Sequence, residues 1–423
     1  MKNDDEVGDE DDDAPLSQIN PQILKSTGRS LSNSAIRWFS SAPNRHQNHA
    51  VSILAAELTD RGLLEVDGKD TVRLLQGLVS NDVRHLSPGR ALQTTLTLAA
   101  FSNPRGRLLA ETLIHQLPSE GHPHILLDMD RSVLPIVQNH IKKFKLRTRV
   151  SIKDVSEQYI PMQFWREDGA DLKLADFFSE GSSTPPGQVA IARDGRAPGM
   201  GLRIALKRDS ALPFDLDFKI VSDDEYKIHR TLRGVPEGSV DFPPESSLPL
   251  EACIDYMNGI DYKKGCYIGQ ELTARTHHTG VVRKRIVPIS LYEPGTRAPD
   301  KFAVDRKFSH TLPPPATSIR SSPLVTNPAN SEASKRPMKE KSAGRFTQGI
   351  HNIGFAYLRL DQVRRWSDPQ EAGGASPSLD GGLSMSVGIG ESGKKLLVKP
   401  WIPDWWPENP VLKGETPGPS DED

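Results

Sequence analysis

The residues best suited to chemistry stand at Lys264-Gly265-Cys266-Tyr267-Ile268-Gly269-Gln270-Glu271, where a thiol lies between two glycines. Glycine adopts backbone conformations closed to other residues and allows close approach, so a ligand or partner can come near the sulfur. Gln270 to His277 are helix formers without Gly or Pro, which places Cys266 just ahead of a helix N-terminus. Lys264, the helix dipole and Arg275 would each favour the thiolate, the form that attacks electrophiles and ligates metals. Most free cysteines are simply small buried hydrophobes. Here the glycines and basic neighbours favour a reactive or ligating thiol, with Lys264 as its assistant. A closed zinc site does not follow, because Cys253, His277 and His278 show no CxxC or HxxxH spacing and adjacent histidines on a helix point apart. A single thiol can still give one ligand to a cluster shared with another protein, and that needs only Cys266.

Arg230, Arg233, Arg275, Arg283 and Arg285, with Lys284, flank the cysteine run on both sides. The guanidinium fork suits carboxylates and phosphates alike. An acidic ligand and RNA are both compatible with it, as is an ordinary solvated basic face, since Arg283-Lys284-Arg285 alternates along an expected strand.

These groups must be held by a chain of 423 residues, enough for two or three domains at roughly 100–200 residues each. Hydrophobic residues are 36% and charged ones 26%, a globular balance, while 34 prolines and 33 glycines point to long loops or inserts. The net charge of −2 gives no general footing for nucleic acid or an anionic membrane. Two cysteines exclude a disulfide framework and imply a reducing compartment. No apolar run approaches the roughly 18 residues of a membrane helix, so no membrane span is expected.

Residues 4–13 are nearly all acidic and are expected to stay solvated, whereas Ala14 to Ala56 carry no acid and include Lys25, Arg29, Arg37 and Arg45 among serines. Basic, Ser-rich and acid-free is the composition of a mitochondrial transit peptide, with cleavage expected after Phe39. Residues 1–39 are therefore read as acidic head and transit segment.

Gly62 to Val66 reads as a strand, followed by a turn at Asp67-Gly68 and helical spacing of Val72, Leu75 and Val79. Ile125 to Leu127 reads as another strand, with Asp130 as N-cap and Val133, Ile136, Val137, His140, Ile141 and Phe144 on one helix face; Leu146 to Ile152 is expected to return as a strand. Strands alternating with helices imply α/β or α+β layers over 50–280, with 166–188 as a loop insert. Beyond lies a smaller β domain, 281–412. Within it, 294–349 is dominated by Pro, Ser, Lys and Arg and is expected to be a disordered insert. Val287 to Ile289, Ile353 to Leu360 and Lys395 to Val398 are its strands, separated by a Gly-rich stretch to Gly393, and Trp401, Trp405 and Trp406 form a packed tail. Residues 413–423 are expected to be disordered.

Leu248-Pro249-Leu250-Glu251, Met257-Asn258-Gly259, the run from Lys264 to Glu271 and Leu272 to His278 resemble the signature of the YgfZ/glycine-cleavage T-protein group, in particular its mitochondrial iron-sulfur assembly branch. Leu75 to Asp82, Asn103 to Leu109, Lys145 to Arg147, Asp194 to Arg203 and Ile353 to Phe355 extend the likeness over nearly all of the chain outside the inserts. The resemblance implies an α+β fold: ferredoxin-like folate-binding layers and a C-terminal β-barrel around a central cavity. It implies tetrahydrofolate bound by residues drawn from Asn81, Asp82, Arg107, Glu111, Arg203, Arg230, Arg233, Glu251, Gln270, Glu271 and Arg275. It further implies a mitochondrial matrix factor that matures [4Fe-4S] proteins with A-type carriers, Cys266 being a transient ligand of the iron-sulfur cluster. T-protein itself transfers an aminomethyl group using paired acids after its Gly-Gly turn; the matching positions here are Ala110 and Glu111, so one carboxylate is missing. A folate-dependent one-carbon transferase is the alternative, and it leaves enzymatic turnover an open question.

Overall fold

In a computed structural model of the chain, the described residues are 52–87, 94–119, 121–174, 177, 188–212, 214, 217–323, 340–367, 383–390 and 393–407. The acidic head and transit segment expected over 1–39, the tail 413–423, most of 175–187 and the stretch 324–339 lie outside them.

The first strands and helices are β1 (Ile53–Glu57), β2 (Arg61–Asp67), α1 (Thr71–Gln76), β3 (Thr97–Ser102), β4 (Leu108–Leu117), β5 (His124–Asp130), α2 (Leu134–Lys145), β6 (Ser151–Asp154) and β7 (Tyr159–Arg166). β8 (Val189–Arg193), β9 (Leu202–Lys207), β10 (Lys219–Ile220), α3 (Asp223–Leu232) and α4 (Gln270–Thr279) follow. The chain then gives β11 (Lys284–Tyr292), β12 (Ser318–Pro323), β13 (Lys341–Ile350), β14 (Ile353–Arg359), α5 (Leu360–Ser367), β15 (Leu383–Ile389) and β16 (Lys394–Pro400).

Two five-stranded sheets, ordered β3-β4-β5-β2-β6 and β10-β1-β7-β9-β8, precede a closed barrel ordered β11-β14-β13-β12-β15-β16. The fold is thus α+β with a C-terminal barrel, as expected. Because strand side chains alternate between faces, each sheet must cover two surfaces. On one face of the first sheet, Val66, Ile114 and Leu127 pack with Leu75 of α1 and Val137 and Ile141 of α2. On the other, Leu63, Leu117 and Leu126 meet Tyr159, Ala190 and Ala205 of the second sheet. This double burial explains why β3 and the first eight residues of β4 are buried throughout.

Asp130 caps as expected: its Oδ1 accepts from Ser132 N at 2.8 Å, opening a short 3₁₀ turn that runs into α2. Pro135 in the first turn and Lys142, Lys143 and Lys145 in the last suit the helix ends. Two details differ from the sequence reading. Ile136 is 40% exposed, Leu134 instead facing inward. Leu146 does not begin a strand; it ends the helix at φ 45° and β6 starts only at Ser151.

The larger correction concerns 294–349. The span expected to be a disordered insert contributes β12 and β13 to the barrel, and the Gly-rich stretch to Gly393 contains β15. In a closed barrel every strand has two neighbours, so the backbone ladder stabilises segments whose apolar content is small. The inward positions are still apolar: Ile319, Ala343 and Phe346 are all buried. Trp401 and Trp405 donate to Ser290 Oγ at 2.9 Å and Arg233 O at 2.8 Å, and Trp406 packs edge-on to Tyr256, so the aromatic tail is packed as expected.

Candidate functional site

Cys266 is an exposed free thiol, whereas Cys253 is buried, its thiol pushed up to about 12 by burial. The two glycines flanking the motif have different reasons. Gly265 has φ +94° and open space where a Cβ would stand; only its backbone conformation demands glycine. Gly269 has φ +82° and lies against Asn103 O and Ser102, so it also permits a close approach. It is the N-cap position of α4. The turn between β3 and β4 thereby supports the helix start, with Asn103 Oδ1 accepting from Arg105 N at 3.0 Å and Arg107 N at 3.1 Å. Cys266 precedes the first residue of α4 by four positions.

Lys264, expected to assist the thiol, has backbone carbonyls as its hydrogen-bond partners. It is buried, and its ammonium donates to Gln76 O at 2.8 Å and to Val79 O. α1 ends at Gln76, leaving carbonyls without helical donors, and a buried ammonium must find acceptors. Burial brings this lysine down to about 8. Gln76 Nε2 returns a bond to Lys264 O at 3.2 Å, and Ile268 N donates to Gly77 O at 3.1 Å. Gln270 Oε1 accepts from Tyr267 N at 3.1 Å. On α4, His277 stacks on Tyr262 with centroids 3.6 Å apart. No trio of His, Cys, Asp or Glu is placed to hold a metal ion among the described residues.

Asn81 and Asp82, both expected as binding residues, line a cavity of about 410 Å³ with Thr97, Leu98, Arg193 and Met257. Asn81 Nδ2 is fixed by Leu98 O at 2.8 Å and Asn258 O at 2.7 Å. The hydrogen-bonded Arg84 guanidinium holds the Asp82 carboxyl at about 2, so Asp82 accepts hydrogen bonds and does not supply a proton near neutrality. Arg193, His85 and Thr97 were not singled out in the sequence; Arg193 and Thr97 reach the cavity from strand ends and His85 from a short 3₁₀ turn, Arg84–Leu86. Arg230 lines a second cavity of about 520 Å³ with Arg61, Tyr226, Lys227, Glu237 and Ser239.

A buried ionic cluster joins the two cavity walls, because Arg196 of the first donates to Glu237 of the second. Arg61 donates to Asp128 Oδ1 at 2.7 Å and Glu111 Oε1 at 2.6 Å. Arg203 reaches Glu237 Oε2 at 2.9 Å and Asp128 Oδ2 at 3.0 Å. Tyr226 Oη donates to Glu237 Oε2 at 2.7 Å, and Arg230 pairs with Asp241 at 3.0 Å. The barrel joins in through Thr347 Oγ1, which donates to Asp241 Oδ1 at 2.8 Å. Burial and the nearby Glu237 charge raise Glu111 despite Arg61. Burial acts the same way on Glu237 but is outweighed by Arg61, Arg196 and Arg203, which hold its carboxyl well below the usual range.

Several residues expected to bind a ligand make contacts within the protein. Glu111 and Arg203 line neither cavity, since their polar atoms are turned into the cluster. Arg107 donates to Ser246 O at 2.6 Å, the Arg233 guanidinium lies against Gly199, and Glu251 pairs with Lys284 at 3.2 Å. Arg285 forks onto Asp255 and stacks over Tyr256 at 3.7 Å. Gln270, Glu271 and Arg275 belong to the thiol's helix and line neither cavity.

The first cavity offers a carboxylate acceptor at Asp82, an apolar wall at Leu96 and Leu98, and the exposed cation Arg193, a donor set of the kind that suits a flat polar heterocycle with an acidic tail.

Residues 283–408 match the family model described as the CAF17 C-terminal beta-barrel domain. The chain is 44% identical over 380 residues to a protein of Mycosarcoma maydis named iron-sulfur cluster assembly factor IBA57 homolog, mitochondrial, with 87% of each chain covered. A protein of the same name from Aspergillus fumigatus is 33% identical over 384 residues, covering 83% of this chain and 82% of its own. Among solved structures, glycine cleavage system aminomethyltransferase T from Bartonella henselae superposes with a TM-score of 0.55 at 12% identity, covering 84% of this chain and 86% of that one, a likeness of fold.

Proposed function

The chain belongs to the mitochondrial iron-sulfur cluster assembly factor IBA57 family, and on that premise we propose that it works in the matrix with A-type carriers, using Cys266 to hold or pass the cluster during [4Fe-4S] maturation. It is a mitochondrial iron-sulfur assembly protein; the carrier, the thiol's role and folate are the finer parts of the proposal. The observation that carries it is the exposed Cys266 thiol at the tip of a tethered loop, with no metal-ligating trio beside it among the described residues. A lone thiol cannot complete a four-ligand site, so the remaining ligands must come from a partner. The cluster is cargo.

Asn81, Asp82 and Arg193 would hold tetrahydrofolate, which when bound supplies one-carbon chemistry at its pterin and adjoining amine. The chain's own residues favour binding over turnover there. Ala110 has no acid to offer, Glu111 is spent on Arg61 and Gly238, and Asp82 is held as the carboxylate by Arg84.

Anaerobic reconstitution with an A-type carrier tests the reading. The wild-type chain should give a shared cluster seen by absorption and Mössbauer spectroscopy, and Cys266→Ala should lose it. An unchanged cluster in Cys266→Ala would refute the role of the thiol.

A further inference from the structure

We propose that Gln76 and Lys264 are positioning residues for the Cys266 thiol, tying both feet of a three-residue apex, Gly265-Cys266-Tyr267, to the C-terminal end of α1. One foot is Lys264, whose ammonium grips Gln76 O and Val79 O while its carbonyl takes a bond from Gln76 Nε2. The other is Ile268, whose N–H binds Gly77 O. Both feet therefore rest on the four residues Gln76 to Val79, and the sulfur stands at the exposed crown between them. Gln76 is itself fixed, since its Oε1 accepts from Val83 N at 2.9 Å, which orients the amide for its donation to Lys264 O.

The arrangement is more than a helix end finding donors. Water satisfies frayed carbonyls at a surface without burying a charge. Here an ammonium is buried with no carboxylate among its hydrogen-bond partners, at a cost in desolvation, and it packs 4.9 Å above the Tyr267 ring of the apex. Its direct structural effect is to remove freedom from the segment carrying the sulfur. A thiol that must meet a cluster held by a second protein gains from such preorganisation, because less entropy is lost on docking. That use rests on the reading of Cys266 given above; the clamp itself does not.

The test uses the full chain with a methanethiosulfonate nitroxide on Cys266. Cys253 is 1% exposed and takes no label, and Cys266→Ser supplies the blank. The wild-type spectrum should be broad, showing a label moving with the loop on the nanosecond scale. Gln76→Leu should narrow it, with a several-fold shorter correlation time well below a lowered thermal midpoint, since Val83 N also loses its acceptor. Ile319→Val, destabilised in the barrel away from the loop, should stay as broad as wild type, which separates the clamp from lost stability. Lys264→Met should narrow the spectrum further, with some loss of stability because two carbonyls lose their donor. Should Lys264→Met fail to fold, Gln76→Leu alone decides. Spectra as broad as wild type in the folded Gln76 and Lys264 variants would overturn the clamp. A narrowed spectrum establishes it whatever Cys266→Ala does in the reconstitution, so the two readings fail separately.

Discussion

Glu111 and Glu237 share one cluster yet respond to pH in opposite senses. Glu111 has a folded value above its unfolded one, so the native chain binds its proton more tightly and stability falls as pH rises between the two. Glu111→Gln keeps an acceptor for Arg61 Nη1 and Gly238 N while abolishing that ionisation. Urea denaturation should show no loss at neutral pH and a flatter pH dependence on the mildly acidic side. Glu237 has a depressed folded value, so its contribution is complete at neutral pH and disappears as pH falls through that value. Glu237→Gln leaves buried guanidinium groups undercompensated and should cost about 3–5 kcal/mol at neutral pH. Equal losses in the two variants would contradict this assignment. Of this cluster, only Glu111, Arg203 and Arg230 were singled out as site residues in the sequence. Arg61, Asp128 and Glu237 carry no local spacing, because positions so far apart in the chain meet only once two sheets are stacked.

At the level of elements, the glycines flanking the thiol separate conformation from contact. Gly269→Ala faces both a positive φ and the carbonyl of Asn103, so it should lower stability by at least about 1–3 kcal/mol and displace the start of α4. Gly265→Ala meets nothing and should cost only the backbone term, about 1–2 kcal/mol. Thermal unfolding of the pair checks the order. The helix after the motif was legible because helix formers run unbroken from Gln270. The partner of Lys264 was not: a lysine beside a cysteine looks electrostatic in one dimension, and the carbonyls it serves lie far away in the chain at the end of α1. The strand and cap around Asp130 were legible for the converse reason, since cap and helix face are local patterns.

For the whole molecule, closure of the barrel decides how much of its sequence looks structural. β12 and β13 pair antiparallel with Ser321 opposite Lys341, so the ends of 324–339 stand on neighbouring strands. A short turn can join such ends, and the dependence of closure entropy on loop length is weak. Replacing 324–339 by a five-residue Gly/Ser/Asn link should leave the thermal midpoint within a few degrees; loss of cooperative unfolding would show that the long connection contributes to the barrel. The polar bias that made 294–349 look unstructured is the bias a strand can tolerate when both its edges are paired. The stretch from Gln76 to Val83 has a different kind of reach. Its early residues anchor the thiol loop, while Asn81 and Asp82 wall the smaller cavity, and Ser80 between them binds Gly259 O at 2.6 Å. Eight residues thus serve two masters, and natural variation there cannot drift on one account alone: a change that suits the cavity is inherited by the sulfur.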